Sequence, residues 1–343
     1  MSLRTRPWRL AVAGCGAAAF GLHLPVLTSS PDFDVTALAD RDTARARAAA
    51  ARFAVPRVAG KIEDLVDGVD MLVVLTGVHQ DLIEAALDAQ LHVFTEKPVG
   101  LDVTETRKLA DRAQGAGLLL EVGAMRAHDP ALHAALAAVP EPTGGWLIKA
   151  DGFDEAARRR LLPPGFSPYT FVDDPPQTIP RQLADAHQVT ALKILLWQGY
   201  HLLTALTLAV PGVTPAACTL DADGQSLHAL LFGPAGQPFT LVISATAPGR
   251  FLEQIHFGGA SDTATVDFAR PYEPSTATRV TTATGEQSDF PDPFAAMWQA
   301  VSDRLAGQYP ADLPTSTALA VRVEDLALGL AGLCRPGPHL RKD

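Results

Sequence analysis

An α/β domain followed by an α+β domain is the fold class this sequence predicts, and three observations carry it. From residue 8 to about 122, short continuous apolar runs alternate with longer amphipathic stretches, the pattern of strands buried on both faces between helices. Beyond about residue 125 the texture changes to a proline-rich stretch, one long apolar segment and a series of short alternating runs. The length, 343 residues, accommodates about two domains of roughly 150 residues each.

The apolar runs of the first part are "RLAVAG", "DVTALAD", "MLVVLT", "HVFTE" and "LLLEVG". Each is bounded by turn or polar residues. Between them, "DTARARAAAARF", "HQDLIEAALDAQ" and "LDVTETRKLADRAQGAG" have helical periodicity. The last carries Asp102 and Glu105 at capping-box spacing and ends on Gly115 and Gly117, start and stop signals for a helix. Strands alternating with helices imply right-handed crossovers and a doubly wound parallel sheet.

In the second part, six prolines between 163 and 180 predict an extended loop. Thr190 to Val210 is a long apolar segment stopped by Pro211-Gly212. From 215 to 285, "LHALLFG", "FTLVISATA" and "TATVDFA" predict strands of an open, mostly antiparallel sheet. Helices are predicted near 292–306 and 315–333. The domains expected are therefore 1–124 and 125–343.

Composition narrows the partners. Hydrophobic residues make up 47% and charged ones 19%, enough for a sizeable core. The net charge of -10 argues against nucleic acid or an anionic membrane surface, both polyanions. No apolar run reaches the ~20 residues of a membrane span. The three cysteines, Cys15, Cys218 and Cys334, have no disulfide or zinc spacing, so no metal is predicted and a reducing, cytoplasmic setting is expected.

"RTRPWRLAVAGCGAAAFGLHLPVL" admits two readings. Arginines, an apolar run and "VAGC" resemble a lipoprotein leader that would be cut before Cys15. The apolar run is only about six residues, shorter than the ~7–15 of a signal core. The other reading is a strand, a glycine turn and a helix that hold a dinucleotide. Gly14 permits the tight turn, Gly16 lets the backbone approach the pyrophosphate, and Ala19 fills the third, small position of G-x-G-x-x-G/A. Ala17, Ala18 and Ala19 open the helix whose N–H groups would face the phosphates. Asp40 ends the next strand 21 residues after Ala19, near the ~20-residue offset of the acid that holds the adenosine ribose. Its carboxylate favours NAD; the adjacent Arg41 leaves NADP possible.

With "GCGAAAFGLHLPVL", "ADRD", Thr76 and His79, "ALDAQLHVFTEKP" and "MRAHDPAL", the sequence resembles the glucose–fructose oxidoreductase / inositol dehydrogenase / MocA (Gfo/Idh/MocA) family. The resemblance is weaker through "GYHLLTALTLAVPG" and "FAAMWQAVSDRLAGQYP". It implies a Rossmann domain with an open-faced α/β partner, NAD(P), a sugar, cyclitol or related small-molecule substrate, and a homodimer or homotetramer. It also implies roles for Glu96 and Lys97 of Glu96-Lys97-Pro98. Lys97 follows the strand "HVFTE" at the carboxyl edge of the sheet, where a lysine can stabilise charge on a substrate oxygen. Thr76 and His79 end the fourth strand, where Thr76-Gly77 departs from the family's Thr-Pro.

Family members carry Asp-x-x-x-His on the helix that opens the second domain. Here His201 holds the histidine position, the general acid/base, and Trp197 stands where aspartate would be. Indole donates one hydrogen bond and accepts none. On a single helix, Lys193, Trp197 and His201 would share one stripe. Arg126, in a substrate cleft or a structural role, and Tyr169 and His187 are further candidates. Two functions follow: an NAD(P)-dependent oxidoreductase acting on hydroxyl or ketone groups, or a dinucleotide-binding regulatory protein without redox chemistry.

Overall fold

The computed structural model of the protein describes residues 6–77, 79–152, 155–166, 177–248, 251–273, 276–309 and 315–337. Along the chain run β1 (Trp8–Ala13), a π-helical turn (Ala19–His23) leading into α1 (Leu24–Ser29), β2 (Phe33–Ala39), α2 (Thr43–Phe53), β3 (Arg57–Val58), α3 (Ile62–Val66), β4 (Met71–Val74), α4 (Gln80–Asp88), β5 (His92–Thr95), α5 (Val103–Gly115) and β6 (Leu120–Val122). A 3-10 turn (Met125–His128), α6 (Pro130–Ala138), β7 (Gly144–Gly152), α7 (Glu155–Leu161), α8 (Ala186–Trp197) and α9 (Tyr200–Ala209) follow. Then come β8 (Thr214–Leu220), β9 (Ser226–Phe232), β10 (Pro238–Pro248), β11 (Phe251–Gly258), β12 (Thr263–Asp267), β13 (Arg279–Thr282), β14 (Gly285–Gln287), α10 (Pro293–Leu305), α11 (Ser316–Leu333) and β15 (Cys334–Pro336).

The chain forms two compact units. The first gathers Met1–Gly123, Glu155–Gln177 and Phe294–Ala318; the second gathers Ala124–Asp154, Thr178–Pro293 and Leu319–Asp343. The first break falls next to the one expected at 124. The two later segments that join the first unit have no counterpart in the expected division.

In the first unit, six parallel strands lie in the order β3-β2-β1-β4-β5-β6, the doubly wound order of a Rossmann sheet. The five predicted runs are β1, β2, β4, β5 and β6. Their continuous apolarity has the expected cause: Leu10, Val12, Leu72 and Val73 are all fully buried. Helix α5 starts where Asp102 accepts the N–H of Thr104. The returning segment closes this core. Trp298 of α10 lies 4.3 Å, ring to ring, from Phe94 of β5 and 5.5 Å from Phe33 of β2. Arg304 pairs with buried Glu121 of β6 at 2.6 Å, and the N–H of Val122 donates to Ser316 Oγ.

The second unit is built on a nine-stranded sheet in the order β14-β13-β12-β11-β7-β10-β9-β8-β15. Its pairs are antiparallel except β7 with β10 and β8 with β15. In β9, Leu227, Ala229 and Leu231 are buried while His228 and Phe232 are exposed, the alternation of a sheet covered on one face. Against it lie α6 on β12 and β13, α9 on β7, and α8 on β15.

The segment 190–209, weighed as one helix, is two. α8 ends at Trp197 and α9 starts at Tyr200. Gly199 sits at the break, where a Cβ would lie 2.6 Å from Ile243 Cδ1 and 2.9 Å from the Leu195 carbonyl oxygen. Close approach to β10 leaves room there only for glycine.

Trp298 is 1% exposed and bridges α10 to two strands. Trp298→Ala is expected to lower stability by about 3–5 kcal/mol, measured by chemical denaturation; a loss below about 1 kcal/mol would mean that the returning segment does not hold the sheet.

Candidate active site

The glycine turn is built against the end of β4. Gly14 has φ +97°, and a Cβ at this position would lie 2.6 Å from the Leu75 carbonyl oxygen. Its N–H donates to Ala39 at the end of β2. A Cβ on Gly16 would meet nothing within 4 Å, so this side of the turn is open. The first helical hydrogen bond runs from Phe20 N–H to Gly16 C=O. The N–H groups of Ala17, Ala18 and Ala19 precede it and have no acceptor a turn earlier in the helix, the geometry that receives a pyrophosphate. Ala19 is fully buried, as the packing role of the third position requires.

Asp40 is fastened beside this turn. Its Oδ2 accepts the Cys15 N–H and its Oδ1 the Asp42 N–H, both at 2.8 Å. Each oxygen keeps a second lone pair for a ribose hydroxyl. Arg45, buried on α2, approaches Asp40 to 3.9 Å, whereas Arg41 is exposed. Burial and the Asp40 charge push the Cys15 thiol up to about 12. Cys15 is thus a packed, unreactive loop residue. These residues fit a dinucleotide: an open glycine edge, a helix N-terminus and a tethered ribose acid.

Glu96 and Lys97 lie at the carboxyl end of β5 in the same sheet. Glu96 Oε1 is 2.9 Å from His23 Nε2, and Oε2 accepts the Lys97 N–H at 3.1 Å. Burial opposes the charge on Glu96, but the hydrogen bond and charge of His23, with the charge and backbone N–H of Lys97, outweigh it and hold its carboxyl below the usual range. Lys97 is half-buried. Thr76 Oγ1 lies 3.5 Å from Nδ1 of buried His79, which precedes α4.

In the second unit, Lys193 and Trp197 lie on α8, and His201 is the second residue of α9. The break at Gly199 removes the continuous stripe expected for the three. Trp197 is 49% exposed at the end of α8. His187 lies 3.2 Å from the Cys334 carbonyl, a tie between α8 and β15. Tyr169 lies outside the described residues. Arg126 is 5% exposed. Its guanidinium is 3.1 Å from Glu253, contacts Asp129 at 2.5 Å and lies 3.7 Å from the Phe268 ring centroid. These contacts favour the structural role among the two weighed for Arg126.

Four residues of these clusters escaped sequence reasoning: His23, Arg45, Lys149 and Glu253. Lys149 of β7 pairs with Glu253 of β11 at 2.7 Å, directly across the strands. Burial opposes ionisation of Glu253, yet Lys149, Arg126 and His201 hold its carboxyl far below the usual range. His23 stood in plain view in "FGLHLP", but its partner is 73 residues away.

Residues 8–124 match the Gfo/Idh/MocA model, described as an oxidoreductase family with an NAD-binding Rossmann fold. A dTDP-3,4-didehydro-2,6-dideoxy-α-D-glucose 3-reductase of Saccharopolyspora spinosa is 34% identical over 119 residues, 34% of this chain and 36% of that protein. The chain thus matches only about a third of that relative's length. The crystal structure of KijD10, a 3-ketoreductase from Actinomadura kijaniata with TDP-benzene and NADP, shares the fold: TM-score 0.71, 22% identity, 96% of this chain and 98% of that one. So does the UDP-N-acetylglucosamine 3-dehydrogenase GnnA of Acidithiobacillus ferrooxidans: TM-score 0.73, 18% identity, 94% and 96% coverage.

A lowered carboxyl pKa stabilises the fold above the unfolded-state value and loses that contribution as pH falls through the folded-state value. Wild-type stability should therefore drop from about pH 5 downward as Glu253 and Glu96 take up protons. Glu253→Gln should cost about 3–5 kcal/mol near neutral pH and flatten that acid slope in urea titrations. An unaltered slope would show that Glu253 is not the group responsible.

Proposed function

We propose a hydride-transferring function for a chain whose N-terminal domain belongs to the Gfo/Idh/MocA oxidoreductase family. The reaction is the NAD(P)-dependent interconversion of a hydroxyl and a ketone on a sugar, cyclitol or related small molecule. The observation that carries this reading is the placement of Lys97. It follows β5 at the carboxyl edge of the sheet that holds the Gly14–Asp40 cradle, and its backbone is fastened by Glu96.

Bound nicotinamide supplies or accepts the hydride. Lys97 donates a hydrogen bond to the substrate oxygen and offsets the negative charge that develops there. His201 gives that oxygen its proton in reduction and takes it back in oxidation. Trp197 offers a donor and an aromatic face, so a neighbouring substrate hydroxyl finds no carboxylate there. Asp40 favours NAD over NADP, since its charge repels a 2′-phosphate; the neighbouring Arg41 supports tolerance of NADP. The named relatives act on nucleotide-linked sugars, which makes such sugars the first substrates to try. Those names also argue against a non-redox role. The proposal extends to a cytoplasmic homo-oligomer; among the described residues no helix is long and apolar enough to cross a membrane.

The test is loss of NADH or NADPH absorbance with keto-sugars, free and nucleotide-linked. On a substrate so found, His201→Ala should lower turnover by about 10²–10⁴-fold. Lys97→Met should lower it by roughly 10²–10³-fold, with dinucleotide affinity nearly unchanged in both. Wild-type turnover in both variants would sink these roles.

A further inference from the structure

The side chain of Glu96 has two oxygens with different partners. Oε2 accepts the backbone N–H of Lys97, the next residue, and so constrains the main chain at the point where the lysine side chain leaves it. Oε1 faces His23 Nε2 at 2.9 Å. The next residue after β6, Gly123, leaves room for this carboxylate: a Cβ there would lie 2.9 Å from Oε1.

His23 is itself immobilised. Its ring is fully buried, with Phe94, Phe294 and Trp298 at centroid distances of 5.6, 5.3 and 5.8 Å, all edge-on. Nδ1 is buried with no hydrogen-bond partner among the described residues. Only Nε2 faces an acceptor, so a ring hydrogen sits on Nε2 and is donated to Glu96. His23 therefore works as a fixed donor.

His23 also closes the π-helical turn Ala19–His23. That turn belongs to the helix whose first N–H groups lie beside Gly14 and Gly16. One wide turn shifts the side chains that follow it around the helix axis, and such turns recur at functional sites. The chain of contacts runs from the phosphate-facing helix, through His23 and the Glu96 carboxylate, to the Lys97 backbone. It crosses β4, the strand between β1 and β5.

We propose that His23, acting through the Glu96 carboxylate, is a positioning residue for Lys97 and ties the direction of the lysine to the helix that receives the dinucleotide phosphates. The inference rests on the role assigned to Lys97 above. His23 does not touch substrate and transfers no proton. A packing role alone would need only the ring; positioning needs the Nε2 hydrogen.

Two substitutions separate these roles. His23→Phe keeps an aromatic ring in the cage and removes the donor; His23→Gln removes the ring and restores an N–H donor. In His23→Phe, kcat should fall on the order of tenfold with dinucleotide Kd within about twofold of wild type. His23→Gln should recover much of that kcat even if it melts at a lower temperature. A second readout needs neither substrate nor dinucleotide: the rate at which an amine-acylating reagent modifies Lys97, followed by peptide mass spectrometry. It should rise severalfold in His23→Phe and return toward wild type in His23→Gln, while exposed Lys61 and Lys108 react unchanged. Unaltered Lys97 acylation in His23→Phe overturns the proposal. So does a kcat that follows thermal stability across the two variants, not the presence of the donor. If Lys97→Met leaves kcat unchanged, the catalytic role of Lys97 falls, and the acylation rates alone decide whether His23 holds it.

Discussion

A carboxylate taken out of water must have its oxygens answered, or it destabilises the fold. Each unit of this protein is organised around carboxylates that are answered from far along the chain. Glu121 meets Arg304 across 183 residues, Glu96 meets His23 across 73, and Glu253 meets Arg126 across 127. Closing loops of that length costs chain entropy. The apolar core, not the pair, must supply the driving force. The pairs then select which apolar packing is native. Trp298 on Phe94 illustrates the division: the rings supply burial, and Arg304 with Glu121 sets where α10 docks on β6.

Much of the first unit was legible because its determinants are local. "MLVVLT" is a run buried on both faces, and β4 is buried at every position. Gly14 was assigned a turn by motif alone, and its positive φ and the nearby Leu75 carbonyl supply the reason. What was not legible depends on partners distant in sequence. No periodicity announces that Phe294–Ala318 joins the first unit, because a helix pattern states which face is apolar and not what covers it. The two-residue strand β3 is too short to leave a pattern. The helix break at Gly199 reads in the sequence as one more small residue in an apolar run. Only the approach of Ile243 shows why it must be glycine.

The same logic sorts the charged residues near the candidate site. Arg126 followed the last strand of the first sheet and invited a functional reading, but its donors are taken by Glu253 and Asp129 and its face by Phe268. Lys149 is taken by the same Glu253. A cation paired in this way supports a fold. At Lys97 the tie is made by the backbone N–H. Fastening the main chain of a lysine restrains the point from which its side chain leaves the strand end.

The surroundings of His201 read differently once α8 and α9 are separate helices. On one continuous helix, Trp197 and His201 would be a turn apart and would have to share an environment, so a tryptophan in the acid's position would burden the histidine directly. With the turn at Gln198 and Gly199, position 197 ends one helix while His201 starts the next. α9, whose second residue is His201, packs on β7 of the second sheet. There Ile243, Lys149 and Glu253 stand in one cross-strand row, with Gly199 packed on the first of them. His201 is among the groups that hold the Glu253 carboxyl below its usual range. The histidine thus has a carboxylate in its electrostatic surroundings although position 197 is a tryptophan. It comes from a strand, at a position no helical spacing could have indicated.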